Sequence, residues 1–491
     1  MYYINEHEVI LNQQEQLEPW TSHDRVVYLA MNFIKHCPVD PKTGLPWYLL
    51  YSCFWTDPLR PTIWPDNPAG KFAWAVTTLL RYYPYSGDGE HISIVRSMLD
   101  RLLEYFTPAH YAWDNVPYAS AHPGTGVYFG ARADGEYATE PDKVAQAGAA
   151  LVDFYRLSGE ERYLHAAEAC AQTLLSHLVP GDAEHSPVPF RVDVRDGSVI
   201  EAYTADMVQL LRFFGSLSAL GKSGYEKAHQ NVLDWIIQYP LRNNCWKGYF
   251  EDIRLDPENG NRDQLTALET ARYFLEHPQY DPSPTQTVPG LITWVQEQLG
   301  AEPFFGAVAV HEQKYCYHVM GSHTARFAAL SALWGEKSGD QRYTEIAHRS
   351  LNWAAYMADE NGWVRVGTDR PDYYNQCWFT DGYFDYVPHF IDVMSCLPEL
   401  APEDSDHLLR ASGVIKDINY RPYHISYTTF EENGSERLKL TFEPVAVLSG
   451  DEELPYQSLP GARQGWAFDK TTKLLHVNHP HARVSILGKR R

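Results

Sequence analysis

The chain has 491 residues, with 63 Asp and Glu against 41 Lys and Arg and a formal net charge of −22. No basic stretch precedes the terminal Lys489-Arg490-Arg491, so nucleic acid is not an expected partner, and no apolar run is long enough to cross a bilayer. The 14 Trp and 33 Tyr offer an apolar face and a hydrogen-bonding tip together, a combination that suits sugar rings.

Residues 1–20 are polar and read as an arm. Apolar spacing predicts a helix over Asp24–His36, with Val26, Leu29, Ala30 and Phe33 on one face. A Pro- and Trp-rich loop over 37–70 follows. Then one unit recurs: helix, Ser-Gly turn, helix. The pairs are Phe72–Arg81 with Ile92–Phe106, Lys143–Leu157 with Tyr163–Leu178, Ala205–Leu220 with Tyr225–Tyr239, and Thr324–Glu336 with Tyr343–Met357. Asp263–Glu276 with Gly290–Leu299 forms a further pair on a longer connection. Phe379–Leu397 supplies a sixth inner helix, which the helix at 24–36 pairs to close the ring. The first helix of a pair is rich in small residues, as in Ala145-Gln146-Ala147-Gly148-Ala149-Ala150, and small residues permit the close packing of an inner ring. The expected fold is therefore mainly α, an (α/α)6 toroid of helical hairpins.

Beyond Pro402 the period changes to alternation. His424–Phe430 and Leu438–Phe442 flank Glu431-Glu432-Asn433-Gly434, a strong signal for a β-hairpin. Gly465–Phe468, Leu474–Val477 and Ala482–Leu487 are further strands. The expected division is a toroid domain over 1–410 and a small antiparallel β module over 411–491.

The chemistry concentrates in Tyr373-Tyr374-Asn375-Gln376-Cys377-Trp378-Phe379-Thr380-Asp381-Gly382-Tyr383-Phe384-Asp385-Tyr386. Seven of these fourteen residues are aromatic, and Asp381 and Asp385 stand at i and i+4, on one face of a helix. Acids recur at the entries to the inner helices: Glu136, Glu140 and Asp142; Glu201 and Asp206; Glu251, Asp252 and Asp263; and Asp381. In a toroid these entries share one mouth, so a pair of carboxylates for sugar chemistry is expected among them. The spacing leaves open which pair meets, and each acid taken alone is better explained as a helix cap. Arg132, Arg191, Arg195, Arg262, Arg365 and Arg370 fall in the same loops, either to bind a sugar carboxylate or to pair with the neighbouring acids. His318 and His323, with Tyr315 and Tyr317, could instead abstract a proton, as a lyase or epimerase requires. No metal-binding, nucleophile-elbow or phosphate-loop motif is present, so no cofactor or metal is expected. Seven scattered Cys without a CxxC pair predict reduced thiols, and the N-terminal residues do not read as a signal peptide, so a cytoplasmic location is expected unless a leader has been removed.

The Ser-Gly turns at 86, 158, 223 and 338, the Ala-rich inner helices and Trp378-Phe379-Thr380-Asp381-Gly382 resemble the six-hairpin glycosidase superfamily over roughly 72–400. In such enzymes, the unsaturated glucuronyl hydrolases among them, an Asp at an inner-helix start is the general acid/base and aromatics line the subsites. Asp381 is the position that best matches that Asp. The resemblance implies a glycoside hydrolase acting on oligosaccharides that contain uronic acid. A lyase or epimerase on the same toroid, or a non-catalytic carbohydrate-binding protein, are the alternatives. The expected catalytic set is Asp381, Glu140, Asp206 and His323. Trp378, Tyr128, Arg132, Tyr374, Arg370 and His318 are expected to hold a carbohydrate, and a homo-oligomer is compatible with the chain.

Overall fold

The Ser-Gly turns act as their backbone demands. Gly87, Gly159 and Gly339 each end a helix at a φ of 72 to 74°, in the left-handed region, and each amide closes the last turn onto the carbonyl of Tyr83, Tyr155 or Gly335. The computed structural model describes every residue except 1, 51, 56–60, 64, 131–135, 248–259, 302, 317, 369–375, 460, 462 and 490–491. For 52–55, 61–63, 376 and 381 it describes the backbone.

Twelve α-helices are present among the described residues: α1 (His23–Lys35), α2 (Pro68–Ser86), α3 (Glu90–Glu104), α4 (Pro141–Ser158), α5 (Glu161–His177), α6 (Val208–Ala219), α7 (Glu226–Ile236), α8 (Gln264–Glu276), α9 (Thr287–Leu299), α10 (Gly321–Ser338), α11 (Gln341–Ala355) and α12 (Val387–Cys396). The even-numbered helices pack in sequence, α2 on α4, α4 on α6 and onward to α12, and α12 returns to α2. Each is backed by its hairpin partner, and α1 backs α12, so the first and last helices of the ring close it as expected. The result is an (α/α)6 toroid. Burial follows the same division. Every residue of α10 from Gly321 to Ala332 is buried, as is every residue of α8 from Gln264 to Phe274. The outer α11 is exposed or half-buried over Gln341–Ile346 and buried over Arg349–Ala355. No helix among the described residues is long and apolar enough to cross a membrane.

The stretch before α12 departs from expectation. Thr380–Phe384 is a π-helical turn, and the α-helix begins at Val387. Asp381 therefore lies in the π turn rather than at the first turn of an α-helix.

The C-terminal strands form a two-layer sandwich: β1 (His407–Ala411), β2 (Ile415–Arg421), β3 (His424–Thr429), β4 (Gly434–Lys439), β5 (Glu443–Ser449), β6 (Glu452–Glu453), β7 (Gly465–Asp469), β8 (Leu474–His479) and β9 (Arg483–Lys489). One sheet has the order β1-β4-β8-β7 and the other β2-β3-β9-β5-β6. The Asn-Gly hairpin is thus a correction. β3 is flanked by β2 and β9, and the chain at Asn433-Gly434 crosses to the opposite sheet, where β4 pairs β1 and β8. The crossing is pinned in the interior, where the Tyr427 hydroxyl of β3 donates to Glu436 Oε2 of β4 at 2.8 Å. The sandwich sits against the C-terminal ends of inner helices. His407 bonds the Tyr85 carbonyl at 2.8 Å, and Arg410 binds Ser395 and Glu336 at the ends of α12 and α10. The opposite end, where the inner helices begin, is left as the mouth.

Candidate active site

Charged side chains facing the ring interior come from every inner helix or the residue leading into it. At the mouth, Lys143 of α4 places its ammonium 3.5 Å from Asp206 and 3.7 Å from Asp142, with all three side chains buried. Asp206 is fixed further by its own amide on Thr204 Oγ1 at 3.1 Å and by Gln209 at 3.3 Å. Burial pushes the Asp206 carboxyl up to about 6, against the pull of Lys143 and with help from the Asp263 and Glu269 charges. Asp263 caps α8: its two oxygens take the Thr266 amide at 2.7 Å and hydroxyl at 2.9 Å. Burial raises it to about 6 as well, against those bonds.

Across the mouth Arg326 of α10 is completely buried and touches three helices. It donates to Gln264 at 3.1 Å and to His323 Nδ1 at 3.1 Å, lies 3.3 Å from Glu269, and forms an ion pair with Asp385. Its guanidinium stands 5.0 Å from the centre of the Trp74 ring. His389 completes this group, with Nε2 3.2 Å from Asp385 and Nδ1 3.4 Å from Arg272. Burial pushes Asp385 up, but Arg326 and the two imidazoles outweigh it and hold the carboxyl below its usual range. Burial, with Arg326 adding to it, lowers His323 to about 3 and keeps the ring neutral. Deeper in the ring, Glu269 binds Arg212 at 2.7 Å and Asp392 binds Arg272 at 2.7 Å, a layer with acid and base matched.

The residues expected from sequence separate into three groups. Asp206 and His323 lie in this buried network, at the entry to α6 and on α10, with α8 between them. Glu140, at the entry to α4, is buried, and its Oε1 takes a two-pronged ion pair from Arg191 at 2.6 and 3.1 Å. Burial still pushes its carboxyl upward, against Arg191. His318 is buried in the loop before α10, with its carbonyl accepting the Glu312 amide at 2.9 Å. Trp378 closes a three-stranded sheet of Gln376–Trp378, Ser52–Trp55 and Pro61–Ile63, with the Lys71 ammonium 5.7 Å from its ring centre. Tyr128, expected to hold a sugar, is spent on packing instead. It is fully buried, its hydroxyl bonds the Leu49 carbonyl at 2.8 Å, and its ring packs against Phe72. Arg132, Arg370, Tyr374 and the Asp381 side chain lie outside the described residues. The other loop arginines are engaged with acids or backbone: Arg191 on Glu140, Arg195 on Asp193, Arg365 on Asp359 and Glu6, and Arg262 on the Asn261 carbonyl.

Lys143, Gln264, Arg326 and His389 were not expected from the sequence, where the acids and arginines of the loops stand out. Their signal lay inside the helices. An Arg within Ala325-Arg326-Phe327-Ala328-Ala329, on a helix buried all round, has nowhere to point except at another charge.

No protein-family profile matches the chain, and no curated protein sequence does. Solved structures do match in shape. A cellobiose 2-epimerase from Spirochaeta thermophila superposes with a TM-score of 0.56 at 12% identity, over 77% of this chain and 97% of that one. A D-mannose isomerase gives 0.55 at 12% identity, over 76% and 97%. An unsaturated glucuronyl hydrolase specific for heparin gives 0.50 at 9% identity, over 77% and 96%. At these identities the likeness is one of architecture, and this chain has the (α/α)6-toroid fold of the six-hairpin enzymes, as the sequence resemblance implied.

Proposed function

We propose that the chain is a carbohydrate-active enzyme that works at the mouth of its ring, and that it is a glycoside hydrolase using carboxylate acid/base chemistry. The observation that carries this reading is Asp206: a buried carboxyl at an inner-helix entry, raised to about 6, with Lys143 at 3.5 Å. A carboxyl with that value is part acid and part base near neutrality, as proton transfer at a glycosidic oxygen requires. Asp381, whose backbone enters the same end of the ring between Trp378 and α12, is the expected partner carboxylate. Glu140 is the second choice, with Arg191 to be displaced first. A substrate bearing uronic acid would be recognised by Arg132 and Arg370.

A second reading, a sugar epimerase or isomerase, is favoured by the neutral imidazole of His323 beside Arg326 and Asp385, and two of the solved structures of this shape are an epimerase and an isomerase. One experiment separates the two. The protein is incubated with cellobiose, with unsaturated heparin disaccharides and with D-mannose, and the products are resolved by chromatography. Hydrolysis turns one disaccharide into two monosaccharides. Epimerisation or isomerisation conserves the mass and changes the sugar. Unchanged sugars in every incubation would refute both readings for these substrates.

A further inference from the structure

Arg326 decides which nitrogen of His323 carries the proton. A guanidinium has donors and no acceptor. Its NH1 lies 3.1 Å from His323 Nδ1, so Nδ1 is the acceptor and its lone pair is occupied. The Arg326 side chain cannot swing away, since it is completely buried and tied to Gln264, Glu269 and Asp385 as well. A neutral ring with Nδ1 as acceptor holds its proton on Nε2. That Nε2 is buried and has no hydrogen-bond partner among the described residues, on a residue with 6% of its surface exposed. The hydroxyl of the preceding residue, Ser322, is likewise buried without a partner. A buried N–H without a hydrogen bond costs free energy, so an acceptor entering the mouth gains by meeting it.

We infer that His323 is a fixed hydrogen-bond donor to a sugar oxygen at the ring mouth, with its tautomer set by Arg326, and that it is not a general base. A base needs a free lone pair, and the one lone pair on this ring is taken. The role deepens the proposed carbohydrate function and rests on it. His323 would polarise or hold an oxygen that another group protonates or deprotonates, and Arg326 would be a positioning residue acting through it.

The test is a two-bond proton–nitrogen correlation spectrum of the full chain labelled at histidine nitrogen. The His323 signals are assigned by their loss in His323→Leu, or in His323→Gln where the Leu variant does not fold. The spectrum is recorded at neutral pH, free and after titration with D-mannose and with cellobiose. The expected result is an Nε2-protonated ring in the free protein whose Nε2 signal moves with at least one sugar. His323→Gln, which keeps an amide donor, should bind that sugar within a few-fold of wild type, and His323→Leu about tenfold more weakly. An Nδ1-protonated or doubly protonated ring, or an Nε2 signal unmoved by both sugars, would overturn the inference. A signal that moves while the sugar stays chemically unchanged would support the donor role and count against the enzyme reading. Turnover with an unmoved signal would do the reverse.

Discussion

The two ends of the ring treat their polar groups differently. At the base, where the sandwich meets the inner helices, charge is matched with charge. Glu336 at the end of α10 receives both Arg410 and Arg437, Arg410 also reaches Ser395, and the Tyr420 hydroxyl donates to the Pro84 carbonyl. At the mouth, polar atoms are buried with bonding capacity to spare: Glu140 Oε2, Ser322 Oγ, His323 Nε2 and Thr380 Oγ1. Both ends lie on the same six helices, but Glu336 and its arginines at the base are partly exposed, whereas the groups at the mouth are buried. Matched groups are what an interface between two layers needs. Unmatched ones are what a site keeps for a ligand, and the proposed function places its chemistry at the mouth.

The sharpest way to break this comparison is at Asp206. Asp206→Asn preserves shape and removes the transferable proton, so turnover of the true substrate should fall by roughly 10²–10⁴ while the circular dichroism spectrum stays helical. Near-full activity in that variant would remove Asp206 from the chemistry and move the weight to Asp381. Wild-type kcat/KM should also show a limb near pH 6 that the variant lacks.

Arg326→Met tests the wall of the mouth. It takes the guanidinium from buried Asp385, leaving it the His389 imidazole, while Glu269 keeps Arg212, and breaking a buried pair in this way costs about 3–5 kcal/mol. Urea denaturation reads the loss. A cost below about 1 kcal/mol would mean that water reaches those acids and that the network is not the rigid frame described above.

At the base, Glu336→Gln should cost less, about 1 kcal/mol, because the carboxylate is partly exposed and screened. It should leave sugar turnover unchanged. Arg410 and Arg437 hold the Glu336 carboxyl below its ordinary value despite burial, so its contribution is fully present above the ordinary carboxylate range and is lost as pH falls through the lowered value. Asp206 and Asp263 have the opposite sign. Both are raised from 3.8 to about 6, so whatever stability they contribute is present below about 4 and is lost as pH rises through about 6. Stability curves of wild type, Glu336→Gln and Asp206→Asn between these values should therefore diverge in opposite directions, and parallel curves would refute the assignment.

The smallest effect belongs to Tyr128. Tyr128→Phe deletes one buried hydrogen bond to Leu49, worth about 1 kcal/mol, and should leave KM untouched. A rise in KM would return Tyr128 to the substrate site.

Much of the frame was legible in the chain itself. The Ser-Gly turns announce αα-hairpins because a left-handed glycine ends a helix by local geometry alone. The change from helical period to alternation after Pro402 likewise announces strands, since each side chain faces the core or the solvent by period. The entry positions of Glu140, Asp206, Asp263 and Asp381 could be read as well, because acids are favoured at helix starts for reasons internal to the helix. What those acids do was decided elsewhere. Glu140 meets Arg191, Asp206 meets Lys143, and Asp263 spends both oxygens on Thr266. The first two partners lie tens of residues away and become neighbours only when the ring closes. The Asn433-Gly434 turn was misread for the same reason: local turn chemistry permits a hairpin, but β3 already has β2 and β9 on its edges, and the chain must cross to the other sheet. The proton on His323 is the extreme case. No property of residues 318–323 assigns it. It follows from Arg326, and Arg326 is held where it is by Gln264 and Glu269 of α8 and by Asp385 ahead of α12, because a buried guanidinium has to find acceptors and the closed ring offers them from only a few directions.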